Sequence, residues 1–119
     1  MNQRINRGDI FWIDITKQNG IKILTKRHPC IVVQNDWGNN SSGLTIIALC
    51  TSTIDRVYSH DCILEAKEGG LPTRTRICCN QLMTVEQIRL EDKNRIGKIP
   101  SAKIPLLNKA LKFSLQFSP

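Results

Sequence analysis

The chain has no apolar run approaching the roughly eighteen residues that a membrane-spanning helix needs. Its start, Met1-Asn2-Gln3-Arg4-Ile5-Asn6-Arg7, lacks the apolar centre of a secretory signal. The protein is therefore expected to remain in the cytoplasm and to have no membrane partner. It also lacks any Cys-x-x-Cys spacing, and its cysteines (Cys30, Cys50, Cys62, Cys78 and Cys79) are odd in number, which argues against a disulfide framework. Cys30, Cys50 and the Cys78-Cys79 pair sit within apolar runs, where a free thiol behaves as a small buried hydrophobe. A zinc site around His60 and Cys62 would lack the close-spaced ligand pairs of structural zinc sites, so no metal is expected. Internal repeats and low-complexity segments are absent, and between Ile15 and Pro29 there is no acidic residue.

What remains is an ordinary globular composition with a basic bias. At 119 residues, 40% hydrophobic and 23% charged, the whole chain 1–119 reads as one domain. Seventeen Lys and Arg against ten Asp and Glu give a formal charge of +7. Lys17, Lys22, Lys26 and Arg27 fall in the acid-free stretch, and Arg74 and Arg76 form a second local group. Clustered cations favour a polyanion-binding face, because neutralising phosphates releases counterions.

Residues 9–16 are β-branched and aromatic, with Phe11, Ile13 and Ile15 on one face, and predict a first strand. Residues 29–34 form a short continuous apolar run suited to a buried strand, and residues 35–43 are dense in turn formers. Further strands are expected over residues 44–53, 59–65 and 74–85, the last with Ile77, Cys79, Gln81 and Met83 on one face. Residues 86–94 hold helix formers without Gly or Pro and predict a short helix or a turn of helix. Ser101 caps a final helix running to about Phe117, with Ile104, Leu107, Leu111 and Leu115 at helical spacing. Pro105 either removes one early hydrogen bond or marks a start near Ile104. Strands first and helix last predict a β-rich α+β fold, an antiparallel barrel-like sheet with a terminal helix packed on it. The helix stripe is broad enough to leave some apolar surface for a dimer contact.

Four segments, in order, resemble the MazF/PemK toxin family. They are Arg7-Gly8-Asp9-Ile10-Phe11-Trp12, Arg27-His28-Pro29-Cys30-Ile31-Val32-Val33-Gln34-Asn35-Asp36, Ile47-Ala48-Leu49-Cys50-Thr51-Ser52 and Asn80-Gln81-Leu82-Met83-Thr84-Val85. Any one of them is common; the four in sequence, at compatible separations, cover nearly the whole chain. The resemblance implies an SH3-like barrel, a homodimer, endoribonuclease activity on single-stranded RNA and inhibition by a cognate antitoxin. Many members carry Arg directly before the proline, whereas here His28 intervenes. Gln81, rather than the Gln87 of Gln87-Ile88-Arg89, is matched to the family's strand glutamine because it lies within the apolar run.

RNA brings its own nucleophile, the 2′-hydroxyl. An enzyme must align it, stabilise the charge that builds on phosphorus and move two protons. The sequence shows no acidic cluster suited to two magnesium ions, so neither metal nor other cofactor is expected. The resemblance assigns catalytic roles to Arg27, whose guanidinium would fork onto phosphate oxygens, and to Thr51, whose hydroxyl would donate to the same group. His28 is a further candidate, for proton transfer. Lys17, Lys22, Lys26, Ser52, Thr53 and Gln81 are the expected substrate contacts. Two other readings are a gyrase poison of the CcdB type and a barrel that binds nucleic acid without cutting it. The C-terminal Leu115-Gln116-Phe117-Ser118-Pro119 offers the first no clear match, and the basic loop would serve the second equally well.

Overall fold

The computed structural model describes residues 4–15 and 27–116. Six strands are formed: β1 (Asp9–Asp14), β2 (Arg27–Val32), β3 (Leu44–Thr51), β4 (Asp61–Leu64), β5 (Thr75–Glu86) and β6 (Arg95–Lys98). Two helices, α1 (Asp36–Ser41) and α2 (Ile104–Leu115), join them. The strands make one antiparallel sheet in the order β4-β5-β3-β2-β1-β6. The sheet curls until its two edges meet. Gly97 of β6 lies so close to the turn Glu68–Gly70, which follows β4, that a Cβ on it would stand 2.2 Å from the Gly69 carbonyl oxygen.

Alternation along each strand sends side chains to two cores, one on each face of the sheet. On one face, Ile10, Ile31, Ala48, Cys50, Ile77 and Cys79 pack beneath Leu107 and Ala110 of α2. On the other, Phe11, Ile13, Ile15, Cys30, Val32, Ile47 and Val85 are covered by Ile5 and Leu90. A sheet buried on both sides explains the near-continuous apolar runs of β2 and β3. The Arg-Gly-Asp segment holds this arrangement together. Asp9 is buried, accepts from the Asn6 N–H at 2.9 Å and pairs with Arg95 at 3.0 Å. Arg7 donates to the Val33 carbonyl and to Asn108 Oδ1 on α2. Gly8 adopts φ +95°, a conformation that disfavours a side chain, and faces the Ile99 side chain.

Three expectations are corrected and one is refined. The turn-forming stretch after β2 contains α1, because Asn35 caps it by accepting from the Gly38 N–H at 2.8 Å. The short helix or turn of helix expected at residues 86–94 forms as two separate 3-10 turns, Gln87–Arg89 and Asp92–Asn94, and is followed by the unexpected β6. Gln87 ties the first of these turns to the Asn39, Ser42 and Leu44 carbonyls, contacts between distant segments that local composition does not encode. Ile77, Cys79, Gln81 and Met83 do not share one face. The β3–β5 register jumps from Ala48↔Leu82 to Leu49↔Cys78, leaving three residues of β5 unmatched, and an odd insertion reverses the alternation. Ser101 begins a 3-10 turn without a side-chain cap; α2 starts at Ile104 with Pro105 in its first turn, where a missing N–H costs nothing. None of the described helices is long and apolar enough to cross a membrane.

All five cysteines are free and buried. Burial pushes the Cys30 and Cys79 thiols up to about 12 and Cys62 to about 11, with Cys50 and Cys78 also raised, because the thiolate loses its hydration. The unfolded chain releases these protons from about 9 upward, while the folded chain retains them, so this contribution to stability is lost as pH rises from about 9 through 11–12. Denaturant midpoints should fall over the accessible part of that window, pH 9–10.5, and fall less steeply when Cys30 and Cys79 are both replaced by Ala. Identical slopes for the two proteins would show that the thiols do not drive the loss.

Candidate active site

Thr51 ends β3 at the point where the sheet passes into the loop of residues 52–60. Its hydroxyl oxygen accepts from the Thr53 N–H at 3.1 Å. One lone pair is thereby occupied, and the O–H remains available to donate outward. Continuing the β2–β3 register beyond Cys30↔Leu49 sets His28 across from Thr51. The β1–β2 ladder agrees, since His28 lies opposite Ile13, whose side chain belongs to the core that Leu49 also joins. His28 Nε2 is buried and has no hydrogen-bond partner among the described residues.

The same alternation turns Arg27 to the other face of the sheet. It pairs with Asp14, its guanidinium lies 5.3 Å from the centre of the Trp12 ring, and it donates to Asn94 Oδ1 at 3.2 Å. The structure thus brings His28, not Arg27, onto the face of Thr51. Ser52 and Thr53 follow Thr51 directly and are exposed. Gln81 is exposed in the β5 bulge, at the level of Ala48 and Leu49. Lys17, Lys22 and Lys26, and most of the acid-free stretch that carries them, fall outside the described residues.

Three further residues complete the surroundings of Thr51. Arg76 is its direct partner in the β3–β5 ladder and so shares its face. Asp61, at the start of β4, pairs with Cys78, which in turn pairs with Leu49. The Asp61 side chain is only 1% exposed; Oδ2 accepts from the Tyr58 N–H at 2.8 Å and lies 3.7 Å from Arg76 Nη1. Between Thr53 and Asp61, Arg56 lies over the Tyr58 ring at 5.0 Å, and Tyr58 stacks on His60 with ring centres 5.3 Å apart. Neither Arg76 nor Asp61 is among the site residues expected from sequence. Arg76 stood out in the sequence as part of the Arg74 and Arg76 cation group, but which strand face it occupies depends on the register. Among the described residues, no three His, Cys, Asp or Glu side chains are grouped as metal ligands.

The Trp37 side chain is 80% exposed on α1. It borders a groove of about 590 Å3 that Ile46, Leu82, Leu111 and Leu115 also line. The Gln34-Asn35-Asp36 segment proves structural. Gln34 and Asn39 bond to one another, Thr45 donates to Asn39 Oδ1 at 2.6 Å, and Asp36 accepts from the Arg7 N–H.

The family model for "PemK-like, MazF-like toxin of type II toxin-antitoxin system" matches residues 6–115. The chain is 28% identical over 117 residues to endoribonuclease EndoA of Bacillus subtilis, covering 93% of this chain and 94% of that protein. It is likewise 28% identical over 116 residues to endoribonuclease MazF9 of Mycobacterium tuberculosis, covering 93% and 96%. A mycobacterial endoribonuclease solved in complex with its cognate antitoxin superposes with a TM-score of 0.77 at 17% identity, over 97% of this chain and 98% of that one, which supports the barrel-with-helix fold. With the match running from Asn6 to Leu115, the chain belongs to the PemK-like, MazF-like family of type II toxins.

Proposed function

We propose that this protein is the toxin of a toxin–antitoxin pair, a cytoplasmic, metal-independent endoribonuclease that cuts single-stranded RNA at particular sequences. The observation that carries the reading is that strand register sets the Thr51 hydroxyl and the unpartnered Nε2 of His28 on one face at the open end of β3. In the reaction, the 2′-oxygen forms a bond to the adjacent phosphorus as the bond from phosphorus to the 5′-oxygen breaks. The 2′-hydroxyl loses a proton and the departing oxygen gains one. His28 carries one of these transfers, with water at the mouth of the site serving the other. Thr51 donates to a non-bridging phosphoryl oxygen as charge builds there. Arg27, stacked on Trp12, and the cations Lys17, Lys22 and Lys26 hold the RNA backbone. Ser52, Thr53 and Gln81 contact nucleotides flanking the cut.

This chemistry leaves a 2′,3′-cyclic phosphate on one fragment and a 5′-hydroxyl on the other. Cleavage of a long single-stranded RNA should persist in excess EDTA, and a substrate with a single 2′-deoxy sugar at the cut site should resist. Equal cleavage of the deoxy substrate would require an activated water as nucleophile and overturn the mechanism. A protein that cuts no RNA in this assay would instead match the gyrase-poison or silent-barrel reading.

Thr51→Ala and His28→Ala should each retain the fold by circular dichroism and lower the single-turnover rate on the order of a hundredfold. Arg27→Ala should chiefly weaken RNA binding. The opposite pattern, with rate lost in Arg27→Ala and kept in His28→Ala, would move the chemistry to the other face of the sheet.

Such an activity must be masked in a growing cell. We infer a homodimer that contacts through apolar surface left by α2, where Leu106, Phe113 and Leu115 are exposed. The cognate antitoxin is an acidic, partly disordered segment lying over the same basic face as RNA. In sedimentation velocity the protein should run as a dimer. Added antitoxin should give a heavier species that no longer takes up the 2′-deoxy RNA. A single particle carrying both ligands at full affinity would exclude a shared face.

A further inference from the structure

Three buried side-chain polar atoms lack a hydrogen-bond partner among the described residues: His28 Nε2, Asp61 Oδ1 and Arg76 Nε. The sheet register brings all three residues to the Thr51 face. His28 flanks Thr51 from β2, Arg76 pairs with it from β5, and Asp61 stands behind Arg76 on β4. Unpaired buried polar groups are costly, so three within one patch mark a place where an incoming group completes the bonding of the donors.

Arg76 is the one guanidinium of the patch. Its side chain is 18% exposed, enough to reach a ligand and too little to wander. Two contacts hold it: Nη1 donates to the Arg56 carbonyl at 3.2 Å and faces Asp61 Oδ2 at 3.7 Å. A purely structural Arg–Asp pair would turn the fork of the guanidinium onto the carboxylate. Here the carboxylate approaches one nitrogen only, and its other oxygen, 3.6 Å from His60 Nε2, has no hydrogen-bond partner among the described residues. The guanidinium is steered by Asp61 without being consumed by it. Arg27 lies against Trp12 on the opposite face, and the Arg56 guanidinium lies over the Tyr58 ring.

We propose that Arg76 is the catalytic guanidinium of this toxin, binding a non-bridging oxygen of the scissile phosphate beside Thr51, and that Asp61 is its positioning residue. The proposal rests on the ribonuclease reading above. In the step already described, Arg76 gains and loses no proton. Its fixed charge meets the negative charge that accumulates on the phosphoryl oxygens as the 2′-oxygen bonds and the 5′-oxygen leaves, and His28 moves the proton. The work of a phosphate-binding arginine is thereby divided over two strands, with an imidazole before Pro29 on β2 and the charge on β5.

The test is single-turnover cleavage of an RNA carrying sulfur in place of either non-bridging oxygen at the cut site, compared with the all-oxygen RNA. In the wild type, one sulfur isomer should be cut more slowly, because sulfur accepts poorly from a guanidinium. Arg76→Gln should lower the rate at saturating enzyme on the order of a hundredfold. The same variant should change affinity for the 2′-deoxy RNA by less than about tenfold and lose the preference between isomers. Arg76→Lys, which keeps the charge and the pairing with Asp61, should restore part of the rate with an altered preference. Asp61→Asn should lower the rate while retaining the wild-type preference. Should Arg76→Gln fold poorly, the isomer preference of Arg76→Lys decides. A wild-type rate in a folded Arg76→Gln, or a wild-type isomer preference in Arg76→Lys, overturns the assignment. Absence of cleavage by the wild type itself overturns the ribonuclease reading, and this proposal falls with it.

Discussion

The register shift within β5 is the constraint on which the site depends. Ala48 pairs with Leu82, yet its neighbour Leu49 pairs with Cys78, so Cys79, Asn80 and Gln81 are extra residues with no counterpart on β3. Three is odd, and an odd insertion exchanges the two faces of a strand. On one side of the bulge, Val85 joins the core beneath Ile5 and Leu90; on the other, Ile77 joins the core beneath α2. Had the ladder run on unshifted, Thr51 would face the buried Cys79 thiol. With the shift it faces Arg76. One local irregularity therefore seals the helix-covered core with Ile77 and Cys79 and delivers a guanidinium to the end of β3.

The other face of the same strand pair explains the stability of this arrangement. Both sides of the central strands are dry, so no slip of β2 or β3 can occur without moving apolar side chains out of one core or into the wrong one. The N-terminal clasp adds long-range ties: Asp9 to Arg95, Arg7 to both Val33 and α2, and Gly8 against Ile99. The Arg-Gly-Asp segment, one of the four by which the family is recognised, is here a packing device that anchors β1 and β6, and it does not border Thr51. Side chains projecting from strands fixed in this way vary little in position, as a preorganised site requires.

The loop of residues 52–60 gives the site its outer wall. Asp61 begins the strand that ends this loop and binds it through the Tyr58 N–H, while the row Arg56–Tyr58–His60 stacks along it. The carboxylate that faces Arg76 thus also holds the loop backbone at Tyr58.

Much of the fold was legible in the sequence because hydrophobic alternation is a local property. Five strands, the face shared by Phe11, Ile13 and Ile15, and the terminal helix follow from period and composition, and the order of four motifs identifies the family. Thr51 at a strand end and His28 beside Pro29 were equally readable. The sixth strand was not, because residues 95–98 are short and half-exposed and become a strand only through pairing with β1. The turn at Gln87–Arg89 likewise depends on contacts with distant carbonyls. Which of two adjacent residues, Arg27 or His28, shares a face with Thr51 is decided by strand pairing, and so is the arrival of Arg76 opposite it. Sequence determines which residues are able to carry charge or protons. Register, a property of two strands and never of one, determines which of them meet.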